Sequence, residues 1–283
     1  MATLDVFQSM WAMEFRRPDG FEWSLQQKLE KIHAAGFKGV SFDFPHCDRS
    51  VIKLAIPLLK KYKLDLLINA FVKNVDDYQQ VVDFCIELNY PTRFIGIIGV
   101  IEPWNVTDIA DMTKLWLKVG KAANIPTYVE THRNCMTNDL LFTLQLMDEV
   151  PDLLMVADLS HVLVNQEWYL PMQAQAQSRM SQLLSRAEAF HGRIATREQI
   201  QIAPDFAQHK TWVELFESWW REGFSHWIDR HGKASQDACV FLCELGPPPY
   251  AITDSTGYEL SDRWEEALIM KASVENIWKD INQ

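Results

Sequence analysis

Short, nearly continuous apolar runs rich in β-branched residues alternate along this chain with longer stretches whose apolar positions recur every three or four residues. The first kind predicts strands at Leu4–Met10, Gly39–Phe44, Asp65–Phe71, Phe94–Val100, Thr127–His132, Leu153–Leu159, Ala189–Ala195 and Ala238–Leu245. Continuous apolar character is the mark of parallel strands buried on both faces. The second kind predicts helices over Trp23–Ala35, Val51–Tyr62, Val75–Leu88, Asp108–Ala123, Asp139–Glu149, Pro171–Arg186, Lys210–Arg230 and Asp262–Asp280. In the first of these, Leu25, Leu29 and Ile32 share a face, and Ala34-Ala35-Gly36 supplies a glycine stop. Asn134 or Asn138 is expected to cap the fifth helix.

Eight strand-then-helix units with no linker predict one domain over residues 1–283, a single (β/α)8 TIM barrel of the α/β class. The alternative, a doubly wound open sheet, normally carries a glycine-rich phosphate turn after its first strand, and none is present here. The longest departures from the pattern, Asn165–Met172 and Thr196–His209, are expected to be loops at the carboxyl face of the barrel. Trp212, Phe216, Trp219, Trp220, Phe224 and Trp227 form a stripe at helical spacing. It reads as helix packing on the barrel or as a subunit interface, and a dimer or tetramer is among the expectations.

Composition narrows the partners. Apolar residues make up 48% of the 283, ample for one large core, and the net charge is −11. No Lys/Arg cluster lies along a helix face, which argues against nucleic acid or an anionic membrane as partner. The five cysteines, at 47, 85, 135, 239 and 243, are odd in number and form no Cys-x-x-Cys. Cys239 and Cys243 lie four apart on one strand, too distant to bridge, so reduced thiols and a cytoplasmic location are expected. The longest apolar run, Phe94–Ile101, is of strand length, far below the ~20 residues of a membrane span. The start, Met-Ala-Thr-Leu-Asp, lacks the basic and apolar regions of a signal peptide.

The chemistry gathers at strand ends. Val129-Glu130-Thr131-His132, Asp158-Leu159-Ser160-His161, His191 with Arg197 six residues on, and Glu244-Leu245-Gly246-Pro247 each follow a predicted strand. Glu130 and His132 differ by two and share a face. His161 is expected on the loop just past Asp158, facing the same pocket. Three carboxylates in a barrel mouth repel one another and cost several kcal/mol each if unpaired. A divalent cation removes both problems, and carboxylates with an imidazole suit Mn²⁺, Mg²⁺, Co²⁺ or Zn²⁺, with Mn²⁺ the first expectation. Arg133, Asn69, Trp11, His46, Asp205 and Tyr250 are further candidates for the pocket wall.

On these residues the chain resembles the xylose-isomerase-like barrel superfamily, which holds ketose 3-epimerases, hydroxypyruvate isomerase, inosose dehydratase and endonuclease IV. The resemblance covers Leu4 to about Ile281. It implies one divalent metal ion held by Glu130, Asp158, His191 and Glu244. It also implies that Glu130 and Glu244 act as an acid/base pair and that His161 and Arg197 touch substrate oxygens; His132, on Glu130's face, and Arg133 are read from their positions as further substrate contacts. The implied activity is isomerisation or epimerisation of a small carbohydrate through a metal-stabilised enediolate. A lyase on the same barrel, either a dehydratase or a C-glycoside-cleaving subunit that needs a partner, is the alternative. An endonuclease IV-like phosphodiesterase fits less well, because the third and fourth strands lack its extra histidines and Asp205-Phe206-Ala207 is not its Asp-x-His. The second strand ends Asp43-Phe44-Pro45-His46, where many relatives carry a Glu, and this departure leaves the substrate open.

Overall fold

The computed structural model describes residues 1–282. Strands β1 (Thr3–Ser9), β2 (Gly39–Phe44), β3 (Asp65–Val72), β4 (Thr92–Gly99), β5 (Thr127–Glu130), β6 (Met155–Asp158), β7 (Ala187–Gly192) and β8 (Ala238–Cys243) follow one another around a closed barrel. Each pairs in parallel with the next, and β8 returns to β1 in a register running from Thr3 opposite Ala238 to Gln8 opposite Cys243. The helices are α1 (Leu25–Ala34), α2 (Arg49–Tyr62), α3 (Val75–Glu87), α4 (Val106–Ala122), α5 (Leu140–Glu149), α6 (Leu159–Gln166), α7 (Ala174–Leu184), α8 (Lys210–His231) and α9 (Arg263–Ile281). The single (β/α)8 barrel expected from the hydrophobic pattern is therefore the fold.

Two local expectations are corrected. The segment after β6 is a helix, α6, before it is a loop. Asp158 accepts a hydrogen bond from Ser160 N at 3.0 Å, so the last strand residue is itself the N-cap and the chain turns straight into the helix. His161 consequently stands in the first turn of α6. The cap of α5 is Asp139, whose Oδ1 accepts from Phe142 N at 2.8 Å. Asn138 instead accepts from Asn134 N at 2.7 Å and ties the preceding loop.

The core has two layers. Phe7, Leu67, Phe94, Val156, Ala189, Val240 and Leu242 fill the lumen. A larger shell, between sheet and helices, includes Leu29, Ile52, Tyr78, Trp116, Met180 and Trp278. Gly39 permits the lumen packing, since a Cβ there would sit 2.3 Å from the Phe7 ring. The aromatic stripe of α8 is mostly interior. Phe216, Trp219, Trp220, Phe224 and Trp227 are buried, with Trp220 set edge-on to Phe241 at 5.1 Å, and Trp212 packs partly buried on the same core. Its contacts are those of a helix seated on the barrel wall. All five cysteines are free thiols. Among the described residues no helix is long and apolar enough to cross a membrane.

Glu266, buried in α9, gives the fold a pH dependence away from the barrel mouth. Burial, with added repulsion from Asp205, Glu259 and Asp262, pushes its carboxyl up to about 7 from 4.5. Between those values the native chain holds a proton that the unfolded chain releases, so this group's contribution to stability falls as pH rises through that window. Glu266→Gln should flatten that decline. The urea midpoints of parent and variant should agree near pH 4 and diverge by pH 8, with the variant more stable by on the order of 2 kcal/mol.

Candidate metal centre

The site stands directly on the lumen core because side chains along a strand repeat every two residues. Two positions beyond Leu67 lies Asn69; beyond Val156, Asp158; beyond Ala189, His191; beyond Leu242, Glu244. Four strands thus switch from apolar to polar at the same height, and Glu130 at the end of β5 joins them. The side chains of Glu130, Asp158 and His191 are at most 1% exposed, and Glu244 as a residue 6%. Each of the four offers a ligand atom lying within 4.8 Å of the others.

Most of the carboxylate oxygens are already held. Asp158 Oδ1 accepts from Ser160 N and, at 2.5 Å, from Ser160 Oγ. Asp158 Oδ2 accepts from Arg193 Nη1 at 3.0 Å. Glu244 Oε2 accepts from Arg193 Nη2 at 2.7 Å, and its Oε1 from Asn69 Nδ2 at 3.2 Å. Backbone positions are fixed as well: Thr137 Oγ1 donates to Glu130 O at 2.7 Å and Thr131 Oγ1 to Asp158 O at 2.9 Å. Glu130 Oε2 and both ring nitrogens of His191 have no hydrogen-bond partner. His191 Nδ1 lies 3.2 Å from Glu244 and 3.6 Å from Glu130, close enough for charge attraction but outside hydrogen-bonding geometry. Buried polar atoms without partners are costly and rare. Three carboxylates and an imidazole converging on those vacant lone pairs are the donor set of a hard or borderline divalent cation, so the residues fit a metal.

Electrostatics separate the two glutamates. Burial outweighs the His191 charge at Glu130 and raises its carboxyl. At Glu244 burial acts in the same direction, but His191 and Arg193 overcome it and hold the carboxylate low. Burial would lower His191, yet Glu130 and Glu244 raise it well above the usual imidazole range. Asp43, half-buried at the lip of the same cavity, is pushed up to about 8 by desolvation and the Glu244 charge, although Asn69 Nδ2 donates to it at 3.1 Å.

Arg193 is the residue that sequence reasoning missed. It is 1% exposed and spans the site, bonding to Asp158 and Glu244, to Glu244 O through Nε at 3.0 Å, and to His161 Nε2 at 3.1 Å. Its guanidinium also lies 5.1 Å from the Tyr250 ring and 5.8 Å from Trp11. The signal was in the chain: His191-Gly192-Arg193 places the two cationic side chains on one face. A guanidinium only donates, so His161 Nε2 accepts and its proton sits on Nδ1. Burial, with the neighbouring His132 and Arg193 charges, keeps this imidazole neutral. Its Nδ1 is buried without a partner.

A cavity of about 250 Å³ opens over the cluster, lined by Trp11, Asp43, His46, Phe71, Ile98, Glu130, His132, Arg193, Glu244 and Tyr250. The His132 ring lies 4.0 Å from that of His161. Arg133 is not among the lining residues, and its guanidinium lies 5.4 Å from the Tyr250 ring. Arg197 is brought to a different place: it lies 3.5 Å from the Tyr169 ring and pairs with Glu198 at 2.6 Å, outside the cavity wall. Asp205 is not part of this wall either.

Known structures with this architecture come from several enzyme groups. The chain is similar to a xylose isomerase-like TIM barrel protein from Mycobacterium smegmatis solved in complex with magnesium, at TM-score 0.62 and 12% identity, covering 98% of this chain and 100% of that one. It is similar to an L-ribulose 3-epimerase at TM-score 0.61 and 12% identity, covering 99% and 96% of the two chains. A D-allulose 3-epimerase from Methylomonas sp. in complex with D-allulose aligns at TM-score 0.59 and 12% identity, over 99% and 98%. These likenesses show the fold, a (β/α)8 barrel. No family model matches the sequence, and no curated protein does.

Removing Arg193 leaves two buried carboxylates without their cation. Arg193→Met should lower the unfolding free energy by about 3 kcal/mol, the usual cost of breaking a buried pair from one side. Urea denaturation monitored by tryptophan fluorescence measures it.

Proposed function

We propose that this chain is a divalent-metal-dependent isomerase or epimerase of a small sugar or related polyhydroxylated carbonyl compound. The observation that carries the reading is the buried convergence of Glu130, Asp158, His191 and Glu244 from four successive strand ends, with an imidazole and a carboxylate oxygen left unpaired. Likeness of fold to two ketose 3-epimerases supports it. Mn²⁺ is the foremost candidate, with Mg²⁺, Co²⁺ and Zn²⁺ as alternatives. The cation, when bound, supplies Lewis-acid polarisation of a carbonyl, which acidifies the neighbouring C–H.

The chain's own residues do the rest. Glu130 Oε2 is the carboxylate oxygen free to take or return the proton. Glu244, kept ionised by the Arg193 guanidinium, serves the other face of the substrate. Return of the proton to the same carbon gives an epimer; return to the neighbouring carbon gives the aldose–ketose isomer. Arg193 places a fixed positive charge beside the oxygen on which negative charge develops. His161 offers its unspent Nδ1–H, and His132 flanks it. Arg133 at the mouth and Arg197 on Tyr169 are the outer contacts of this assignment.

Titration calorimetry with Mn²⁺ should show one ion per chain, weakened at least tenfold in Glu244→Gln and in His191→Ala; unchanged affinity in both removes the metal assignment. Incubation with a panel of ketoses in D₂O should place deuterium next to the carbonyl. Chelator should stop it, Mn²⁺ should restore it, and Glu130→Gln should abolish it because an amide cannot accept the proton. Product analysis separates epimer and isomer from the dehydrated product of a lyase.

The contacts can be ranked by the same assay. His161→Ala should lower kcat/KM about a hundredfold with metal retained, and Arg197→Ala by less than threefold. The opposite ranking would bring Arg197 to the substrate in place of His161.

A further inference from the structure

A second, larger cavity adjoins the metal pocket. It encloses about 590 Å³, against about 250 Å³ over the cluster, and the two share His46 and Phe71. The carboxyl ends of β2 and β3 and the flank of α3 form it, with Phe44, Phe71, Val81 and Val100 among its walls. A row of rings joins the two spaces. His46 meets Phe71 edge-on at 4.4 Å, Phe71 lies 6.2 Å from His132, and His132 lies 4.0 Å from His161.

Phe44, Phe71, Val81 and Val100 offer a sugar's hydroxyls no hydrogen bonds and make most of the cavity surface apolar, while His46, Arg49, Lys73 and Gln80 stand at its polar edges. The charges around the cavity suit a different occupant. Asp48 and Asp77 turn their carboxylates to the backbone amides of Ser50 and Lys73. Among the described residues Arg49 and Lys73 have no carboxylate within ion-pair distance, and the Arg49 guanidinium already rests 4.9 Å from the Phe44 ring and 5.3 Å from the Phe84 ring. Unpaired cations beside aromatic surface favour the π face of a further ring. A volume of this size is that of a small-molecule pocket in its own right.

Resting on the reading of the metal pocket given above, we propose that the substrate carries an apolar, ring-bearing substituent, which fills the side cavity while its polyhydroxylated carbonyl head lies at Glu130, His191 and Glu244. His46 and Phe71 then form the sill over which the two parts join. The chemical class is an aryl-substituted sugar rather than a free one.

The test compares binding of a phenyl-bearing ketose, 6-O-benzyl-D-fructose, and D-fructose to the full chain, with and without Mn²⁺, by calorimetry and saturation-transfer NMR. The phenyl compound should bind at least tenfold more tightly, with saturation transferred to its ring protons. Gln80, exposed on α3, and Val100, after β4, both line the cavity. Gln80→Trp and Val100→Trp fill it from separate elements, and each should cut the advantage below threefold while Mn²⁺ affinity is unchanged. Equal affinity for the two compounds, no binding of the phenyl compound, or an advantage that survives both substitutions would overturn the proposal. An advantage for the phenyl compound in a protein that binds no Mn²⁺ would support the side cavity and remove the metal reading instead.

Discussion

The cost of keeping carboxylates out of water governs the mouth of this barrel. Glu130, Asp158 and Glu244 are withdrawn from solvent within a few ångströms of one another, with Asp43 at the edge. Uncompensated, each would cost several kcal/mol and would protonate instead. Arg193 and His191 are the compensation the chain itself provides. Arg193 takes one oxygen of Asp158 and one of Glu244, and Asn69 and Ser160 take the others. Glu130 is left with a free oxygen, and its carboxyl is accordingly raised where Glu244's is lowered. A cluster that is short of positive charge, with ligand atoms still open, is preorganised for a divalent cation.

The same shortage makes the two glutamates unequal. Arg193 reaches Glu244 and not Glu130, so one member of the pair is fixed as an ionised group and the other stays adjustable. Divergent proton affinities at neighbouring carboxyls are the usual basis for dividing acid and base roles. Arg193 also sets the tautomer of His161, so one buried guanidinium anchors Asp158, Glu244 and His161 together. The lumen beneath is filled by buried apolar side chains, which hold these groups in place and keep the local dielectric low.

The side cavity follows from the barrel's construction as well. Phe44 at the end of β2 and Phe71 next to the end of β3 line it, with His46 and Lys73 from the segments that lead into α2 and α3. Space therefore opens beside the pocket on this flank. At the adjoining β8–β1 side of the mouth Trp11 and Tyr250 pack edge-to-face at 5.1 Å. Gly246 is what lets them come that close to the chain: a Cβ there would meet the Trp11 ring at 2.4 Å. The cavity is closed on one side by aromatic packing and extended on the other.

Much of the molecule was legible in the sequence because its determinants are local and periodic. Continuous apolar runs between amphipathic stretches fix strand and helix order, and eight such units leave a barrel as the compact way to bury them. The placing of Glu130, Asp158, His191 and Glu244 at strand ends was legible for the same reason, since a parallel barrel brings all carboxyl ends to one face. What sequence spacing could not give was the partner of each charge. The family resemblance implied Arg197 at the substrate; in the structure its side chain lies on Tyr169 and Glu198, while Arg193 bonds to Asp158 and Glu244. The loop expected to carry His161 became α6, because Asp158 serves at once as last strand residue and helix cap. The side cavity is a void between segments far apart in the chain, and no periodicity records it. Strand order and facing are set by the two-residue repeat along the backbone. Charge pairing and empty volume depend on which distant side chains meet, and tertiary packing decided those.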